Sequence, residues 1–317
     1  MIPPEWIQAA SRRVSPYIRR TPITYDPSLK VFLKWENQQK TGSFKLRGAL
    51  NKVLSLSDRE RQPGVVAASA GNHGAGVAFA CRTVGIRAHI FVPKSATQVK
   101  VSTIRDLGAE VTLVEGGYTE AEQFAIQYAR DSQKPYLSPY NDGQVIAGQA
   151  TLAFELLEEL PNEAKAWLAP VSGGGLIGGI GAGLRAFSPK VSPFPQLIGV
   201  QSEASPYMER IYYTGSQDHV VELPSLADGL AGAVEPNSIT IPLVKEYVDS
   251  ILLVSEEEIC EAIRYAWLFY HQVIEGSAAV VLAAILSGKI RQRPALLIIS
   301  GGNIDLELHR SIVENRK

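Results

Sequence analysis

Residues 64–74 read Gly-Val-Val-Ala-Ala-Ser-Ala-Gly-Asn-His-Gly, and the fold turns on that stretch. Val65 to Ala68 is a short apolar run of the length and composition expected of a strand buried on both faces. Ser69-Ala70-Gly71 interrupts it, and from Gly74 to residue 84 small and apolar residues recur at helical spacing. A buried strand, a small-residue loop and the opening of a helix make the first half of a βαβ unit.

The same order repeats outward. Residues 88–92 and 110–114 read as strands, and 100–107 and 118–132 as helices. Before the opening stretch, 31–35 reads as a strand and 48–57 as a helix. After it, helices are expected over 149–160, 178–187, 256–273 and 278–286, with strands at 166–171, 196–200 and 295–299. Strands followed by helices throughout argue for an α/β protein with parallel sheets covered on both faces. The spacing predicts two doubly wound parallel-sheet domains. The self-contained block 64–142 is the smaller and is inserted in a larger one formed by 1–63 and 143–317. Residues 188–195, Ser-Pro-Lys-Val-Ser-Pro-Phe-Pro, read as a turn-rich connector. Residues 205–247 are the least regular and are expected to be a surface excursion or mobile flap.

Composition narrows the function classes. The 317 residues are 45% hydrophobic and 20% charged, ordinary for a globular protein. A formal net charge of −1 offers no general attraction to nucleic acid or anionic membranes. No uncharged apolar run reaches membrane-spanning length. The N-terminus lacks the basic and apolar regions of a signal peptide. Two cysteines, Cys81 and Cys260, imply no disulfide framework and suit a reducing cytoplasm. The expected partner is a small molecule.

Four segments carry chemistry. Lys45 lies in Gly42-Ser43-Phe44-Lys45-Leu46-Arg47-Gly48, after a strand and at the mouth of a helix. A lysine amine is the side-chain group that forms a Schiff base with an aldehyde cofactor, although most lysines at helix starts are simply solvated. Ser172-Gly173-Gly174-Gly175-Leu176 follows a strand and precedes a helix, so its N–H groups can cradle a phosphate. A plain tight turn or a dinucleotide loop are the alternatives, and Gln201 stands where a dinucleotide site would place an acid. Ser69, Ala70, Gly71, Asn72 and His73 form a second loop suited to a substrate carboxylate. Asn72 could also donate to a ring oxygen beside the Schiff base. His73 reads equally as an acid–base group and as a neutral packing residue. Ser300-Gly301-Gly302-Asn303 ends the last strand, where Ser300 could meet a heteroaromatic nitrogen. Glu275 either lines the same pocket or starts a helix at the surface.

Taken in order, these motifs resemble the fold-type II pyridoxal-phosphate enzymes, the tryptophan synthase β-like fold. Within them the chain is most similar to the threonine/serine dehydratase and serine racemase branch. The resemblance extends over the whole chain, including residues 34–45 and Val145-Ile146-Ala147-Gly148-Gln149. It implies pyridoxal 5'-phosphate linked to Lys45, with Phe44 against a ring face and Asn72 at the ring hydroxyl. It further implies Ser172, Gly173, Gly174, Gly175 and Leu176 around the phosphate, and Ser300 at the pyridine nitrogen.

The implied reaction is β-elimination of water from L-threonine or L-serine, with Lys45 removing the α-proton. Racemases that resemble this chain carry serine at the position of Ala70, and a methyl group can neither give nor take a proton. The family's divalent-metal ligands would fall at Gln201 and Tyr207, so no metal site is expected, though Glu203 and Glu209 lie nearby. The chain ends soon after Asn303, so no regulatory domain is expected, and family members commonly form homodimers. Serine racemisation, dehydration of a larger substrate such as 3-hydroxyaspartate, and β-replacement remain alternatives. More distant ones are non-catalytic amino-acid binding and a nicotinamide oxidoreductase.

Overall fold

A computed structural model of the chain describes residues 1–160, 164–188 and 194–314. Helix α1 (Pro4–Val14) precedes a hairpin of β1 (Ile23–Asp26) and β2 (Val31–Trp35), and then come α2 (Lys45–Ser55) and α3 (Asp58–Arg61). Next are β3 (Val65–Ala68), α4 (Asn72–Val84), β4 (Ala88–Pro93), α5 (Gln98–Asp106), β5 (Glu110–Val114) and α6 (Tyr118–Asp131). The alternation resumes with α7 (Gly143–Glu159), β6 (Ala166–Pro170), α8 (Gly175–Phe187) and β7 (Gln196–Ser202). It closes with α9 (Tyr207–Thr214), α10 (Thr240–Tyr247), β8 (Ser250–Val254), α11 (Glu256–Tyr270), α12 (Gly276–Leu286), β9 (Ala295–Ile299) and α13 (Leu306–Glu314).

Two sheets result. One has the order β1-β2-β9-β6-β7-β8, the other β3-β4-β5. All pairings are parallel except β1 with β2, an antiparallel edge that the β-then-α order did not announce. Strands β3, β4, β6 and β9 are buried along their whole length, as parallel strands between helical layers must be. Helix α12 is buried from Gly276 to Ile285 and forms the centre of the large core, which explains its unbroken apolar composition.

Two expectations change. The segment 205–247 is irregular only in its middle: residues 215–239 hold a single 3-10 turn, while α9 and α10 bound it and Met208, Ile211, Leu230, Val234, Leu243 and Val244 bury against the core. Its prolines and glycines punctuate short helices and hid that apolar anchoring. Strands β1 and β8, absent from the expected strands, lie at the two edges of the large sheet; exposure blunts the apolar pattern of β1, whereas β8 keeps the apolar run Ile251 to Val254. The predicted connector 188–195 falls largely on residues outside those described.

Helices α2, α4, α7 and α8 all begin two to six residues earlier than the apolar spacing suggests. Helix α7 starts at Gly143 because Asp142 caps it, its side chain accepting from the N–H groups of Gln144 (2.7 Å) and Val145 (3.0 Å). Glycines inside these helices serve close approach. A Cβ on Gly148 would stand 2.6 Å from the Arg47 carbonyl and from the Gly48 Cα, so α2 and α7 touch backbone to backbone.

That contact encloses a charged cluster. Arg47 and Lys34 are the largest fully buried side chains. Arg47 donates Nε and Nη2 to the two Glu36 oxygens, both at 2.8 Å, and Nη1 and Nη2 to Glu155 at 2.7 and 3.0 Å. Lys34 donates Nζ to Glu155 (2.6 Å) and to the Thr21 carbonyl (2.7 Å). Two cations face two anions, so the cluster is neutral. Burial alone would raise the Glu155 carboxyl, yet Arg47 and Lys34 hold it below its ordinary value.

Arg47→Met would leave Glu36 buried without its partner and is expected to cost about 3–5 kcal/mol in urea unfolding. Arg20→Met, which removes an exposed pair with Glu158, should stay within about 1 kcal/mol of the parent. Similar small losses for both would contradict the structural role given to the cluster.

Candidate active site

Lys45 is the first residue of α2, and the turn before it is stitched to the loop after β9. The Phe44 N–H donates to the Ser300 carbonyl (3.0 Å), Ser43 bridges to Gly301, and the Gly302 N–H donates to the Gly42 carbonyl (3.0 Å). Gly42 takes φ of +74°, and a Cβ there would run into Asn303. Two segments about 260 residues apart thus hold Lys45 and Ser300 side by side. The Lys45 Nζ donates to the Pro139 carbonyl (2.9 Å) and lies 5.4 Å from the Phe44 ring centroid. Ser300 is buried.

Asn72 is the first residue of α4 and is held at both ends of its amide. Its Nδ2 donates to Glu275 Oε1 (2.7 Å), and its Oδ1 accepts from Asn303 Nδ2 (2.6 Å), which also donates to the Thr41 carbonyl (2.9 Å). Glu275 precedes α12 as a helix-starting residue would, but it is buried rather than at the surface and faces Asn72. Ser69 Oγ accepts from the Gly71 N–H (3.1 Å), shaping the loop ahead of α4. A Cβ built on Gly71 would meet nothing within 4 Å, so open space adjoins the loop.

One expectation falls here. The His73 Nε2 lies 2.9 Å from the Leu137 carbonyl, and burial, reinforced by the Lys45 charge, pulls the imidazole down to about 3. His73 is therefore a neutral residue donating to a carbonyl, and its acid–base reading is withdrawn. What it can offer a carboxylate is its main-chain N–H.

Gly173, Gly174 and Gly175 lie between β6 and α8, with Gly174 at φ +82°. Helix α8 has no side-chain cap, and neither have α2 and α4. Lys45, Asn72 and Gly175 thus each open a helix whose first-turn N–H groups lack a capping side chain, an arrangement suited to anions. Ser172 and Leu176 flank the glycines and add two more main-chain N–H groups.

Electrostatics completes the site. Burial pulls the Lys45 amine down to about 8, although the nearby Glu275 charge works against this. Burial, with Asp228 close by, pushes the Glu275 carboxyl up to about 7 despite the hydrogen bond from Asn72. The same burial thus moves the amine and the carboxyl toward neutrality from opposite sides.

The geometry agrees with the comparisons with known proteins. The family model of pyridoxal-phosphate dependent enzymes matches residues 14–301. The chain belongs to that family. It is 40% identical over 320 residues to the L-threonine ammonia-lyase of Thermotoga maritima, covering 99% of this chain and 78% of that protein. It is 38% identical to the catabolic L-threonine dehydratase of Staphylococcus aureus, covering 98% and 91%. Among solved structures, maize serine racemase superposes with a TM-score of 0.88 at 31% identity, covering 97% of this chain and 96% of that one. The fold is accordingly the two-sheet α/β fold of type II pyridoxal-phosphate enzymes.

The residues present fit an aldehyde that carries a phosphate. Lys45 offers a partly neutral amine, the uncapped start of α8 offers N–H groups, and Asn72 offers an amide. At the expected metal positions, Gln201 is buried with its Oε1 accepting from the Glu209 N–H (3.1 Å), and Tyr207 donates to Glu222 (3.3 Å). Among the described residues no group of three or more His, Cys, Asp or Glu is placed to hold a metal.

Attachment of pyridoxal phosphate requires the neutral amine, so its rate on the cofactor-free protein should rise with pH and level off above about 8. Glu275→Gln removes the charge that raises the amine, and the inflection should move to lower pH. Stopped-flow absorbance would measure both. An unmoved inflection, or one near the ordinary lysine value of 10.5, would contradict this electrostatic account.

Proposed function

We propose that the enzyme is an ammonia-lyase. It eliminates water from a small L-3-hydroxy amino acid, L-threonine or L-serine, and the product hydrolyses to a 2-keto acid and ammonia. The observation that carries this reading is the placement of Lys45: it opens α2 beside Ser300, with its Nζ 2.9 Å from the Pro139 carbonyl, and burial lowers its amine toward neutrality. The threonine ammonia-lyase and threonine dehydratase relatives support the substrate class.

Pyridoxal phosphate, when bound, supplies the conjugated system that accepts the charge left by the departing α-proton. The residues do the rest. Lys45 would hold the cofactor through its amine, and that same amine, when free, would take the α-proton. Main-chain N–H groups of residues 173–176 and the start of α8 hold the phosphate. Ser69, Gly71, Asn72 and the His73 N–H, ahead of and within the first turn of α4, hold the substrate carboxylate. Glu275 and Asn303 fix the Asn72 amide, which would donate its remaining N–H to the ring oxygen. Phe44 would lie against the ring, and Ser300 would offer its nitrogen a neutral hydroxyl rather than an acid. Ala70 leaves the opposite face without a proton-transfer group, which favours elimination over racemisation.

The smaller unit, 64–142, is inserted in the larger and carries the carboxylate loop. Helix α2 joins the two, since Leu46, Ala49, Leu50 and Val53 bury against the small-sheet cluster. A cytoplasmic homodimer is the proposed form. Trp267, Leu268 and Phe269 of α11, with Leu306 and Leu308 of the adjoining α13, present exposed apolar surface that suits a second subunit. Among the described residues no helix is long and apolar enough to cross a membrane.

Keto-acid release from L-threonine and L-serine tests the reading. The parent should turn over at least one of them, and Lys45→Ala should fall below about a thousandth of that rate. Retention of more than a few per cent by the variant would sink the assignment. Ala70→Ser should add measurable D-isomer from the L-substrate, scored by chiral chromatography; no D-isomer would count against the two-face argument.

A further inference from the structure

Tyr140 touches three parts of the site at once. It follows Pro139, whose carbonyl accepts from the Lys45 amine at 2.9 Å. Its ring lies against the glycine loop: a Cβ added at Gly173 would stand 2.5 Å from Cγ and Cδ2 of Tyr140, and one at Gly175 would stand 2.9 Å from its Cβ. Its hydroxyl accepts from the Glu235 N–H at 2.8 Å. The next residue repeats the link, since Asn141 Nδ2 donates to Glu235 Oε2 (2.7 Å) and Asn141 Oδ1 accepts from the Ile239 N–H (3.0 Å).

The other side of the glycine loop is packed by the same segment. A Cβ on Gly174 would meet Val244 and Thr240 of α10 and Met208 of α9 at 2.8–3.2 Å. Gln217 fixes the strip between these helices, donating to the Val234 carbonyl (2.8 Å) and accepting from the Val234 N–H (2.9 Å). The loop is therefore gripped between Tyr140 on one face and α9 and α10 on the other, and Glu235 ties the two jaws together.

We propose that Tyr140 is a positioning residue: with Glu235 it clamps the Gly173–Gly175 loop in the shape that retains the cofactor phosphate, and it aims the Pro139 carbonyl at the Lys45 amine. The inference rests on the proposed cofactor site and adds to it a residue and a mechanism of retention. Removing the ring frees one face of a loop that has no side chains of its own to hold its shape. Removing only the hydroxyl leaves the ring on the loop but strands the Glu235 N–H.

The test is cofactor affinity, read by absorbance titration of the cofactor-free protein with pyridoxal phosphate. Circular dichroism on each variant establishes that it is folded. Tyr140→Phe is expected to weaken binding roughly tenfold, the effect of one stranded donor, and Tyr140→Ala to weaken it further. The decisive arm is a double-mutant cycle. Gly173→Ala alone drives a methyl into the Tyr140 ring and weakens binding, whereas in the Tyr140→Ala background the same methyl has room. Its effect should shrink by about tenfold or more there. Additive effects, or a Tyr140→Ala affinity equal to the parent's, would overturn the proposal. Failure of the parent to take up cofactor would instead overturn the functional reading, so the two failures are distinguishable.

Discussion

The buried cluster of Arg47, Glu36, Lys34 and Glu155 is the interaction on which the site depends. Arg47 is two residues past Lys45 in the first turn of α2, and its guanidinium is shared between Glu36, just after β2, and Glu155 of α7. A guanidinium that satisfies two carboxylates at once fixes both distance and orientation. The helix start that bears Lys45, the amine proposed to carry the chemistry, is thus anchored to the large sheet and to α7 rather than left free. Burying four charges is a poor route to stability, and hydrophobic residues of similar size could do as well. What the arrangement supplies is a single position for the start of α2.

The site itself combines loose and fixed parts. Main-chain stitching between residues 42–44 and 300–302 sets Lys45 beside Ser300, and side-chain amides set Asn72. Against this frame stand three uncapped helix starts and two titratable groups moved toward neutrality in opposite directions by the same burial. Desolvation disfavours the charged form of each, so Lys45 goes down and Glu275 goes up. The Glu275 charge partly offsets the effect of burial on Lys45, and both groups end nearer neutrality than their ordinary values.

Much of this was legible in the chain. Lys45, the glycine loop and the Asn72 loop announce themselves because each lies at a strand-to-helix junction with residues that junctions rarely need. Most parallel strands were legible as short apolar runs, and β1 was missed because Ile-Thr-Tyr-Asp is half polar and pairs antiparallel at an edge; β8 was missed although Ile251 to Val254 is apolar and its pairing with β7 is parallel. The start of α7 was missed because Gly143 and Gly148 read as loop until α2 is seen lying against Gly148. The Pro139 carbonyl carries no side-chain signature at all. Arg47 left no signal either: it precedes the helix read over 48–57 and falls not on the apolar face of Leu46, Ala49 and Leu50 but on the side of α2 that carries Gly48 and Asn51 and packs on α7. Its partners lie 11 and 108 residues away in sequence, a pairing that only the fold reveals.

The measurement that bears most directly on the account is the location of the cofactor. The protein would be loaded with pyridoxal phosphate, reduced with borohydride to make the lysine link permanent, digested and mapped by mass. The account requires one modified lysine per chain, and that lysine is Lys45. Modification spread over surface lysines, or confined to any residue other than Lys45, would contradict it.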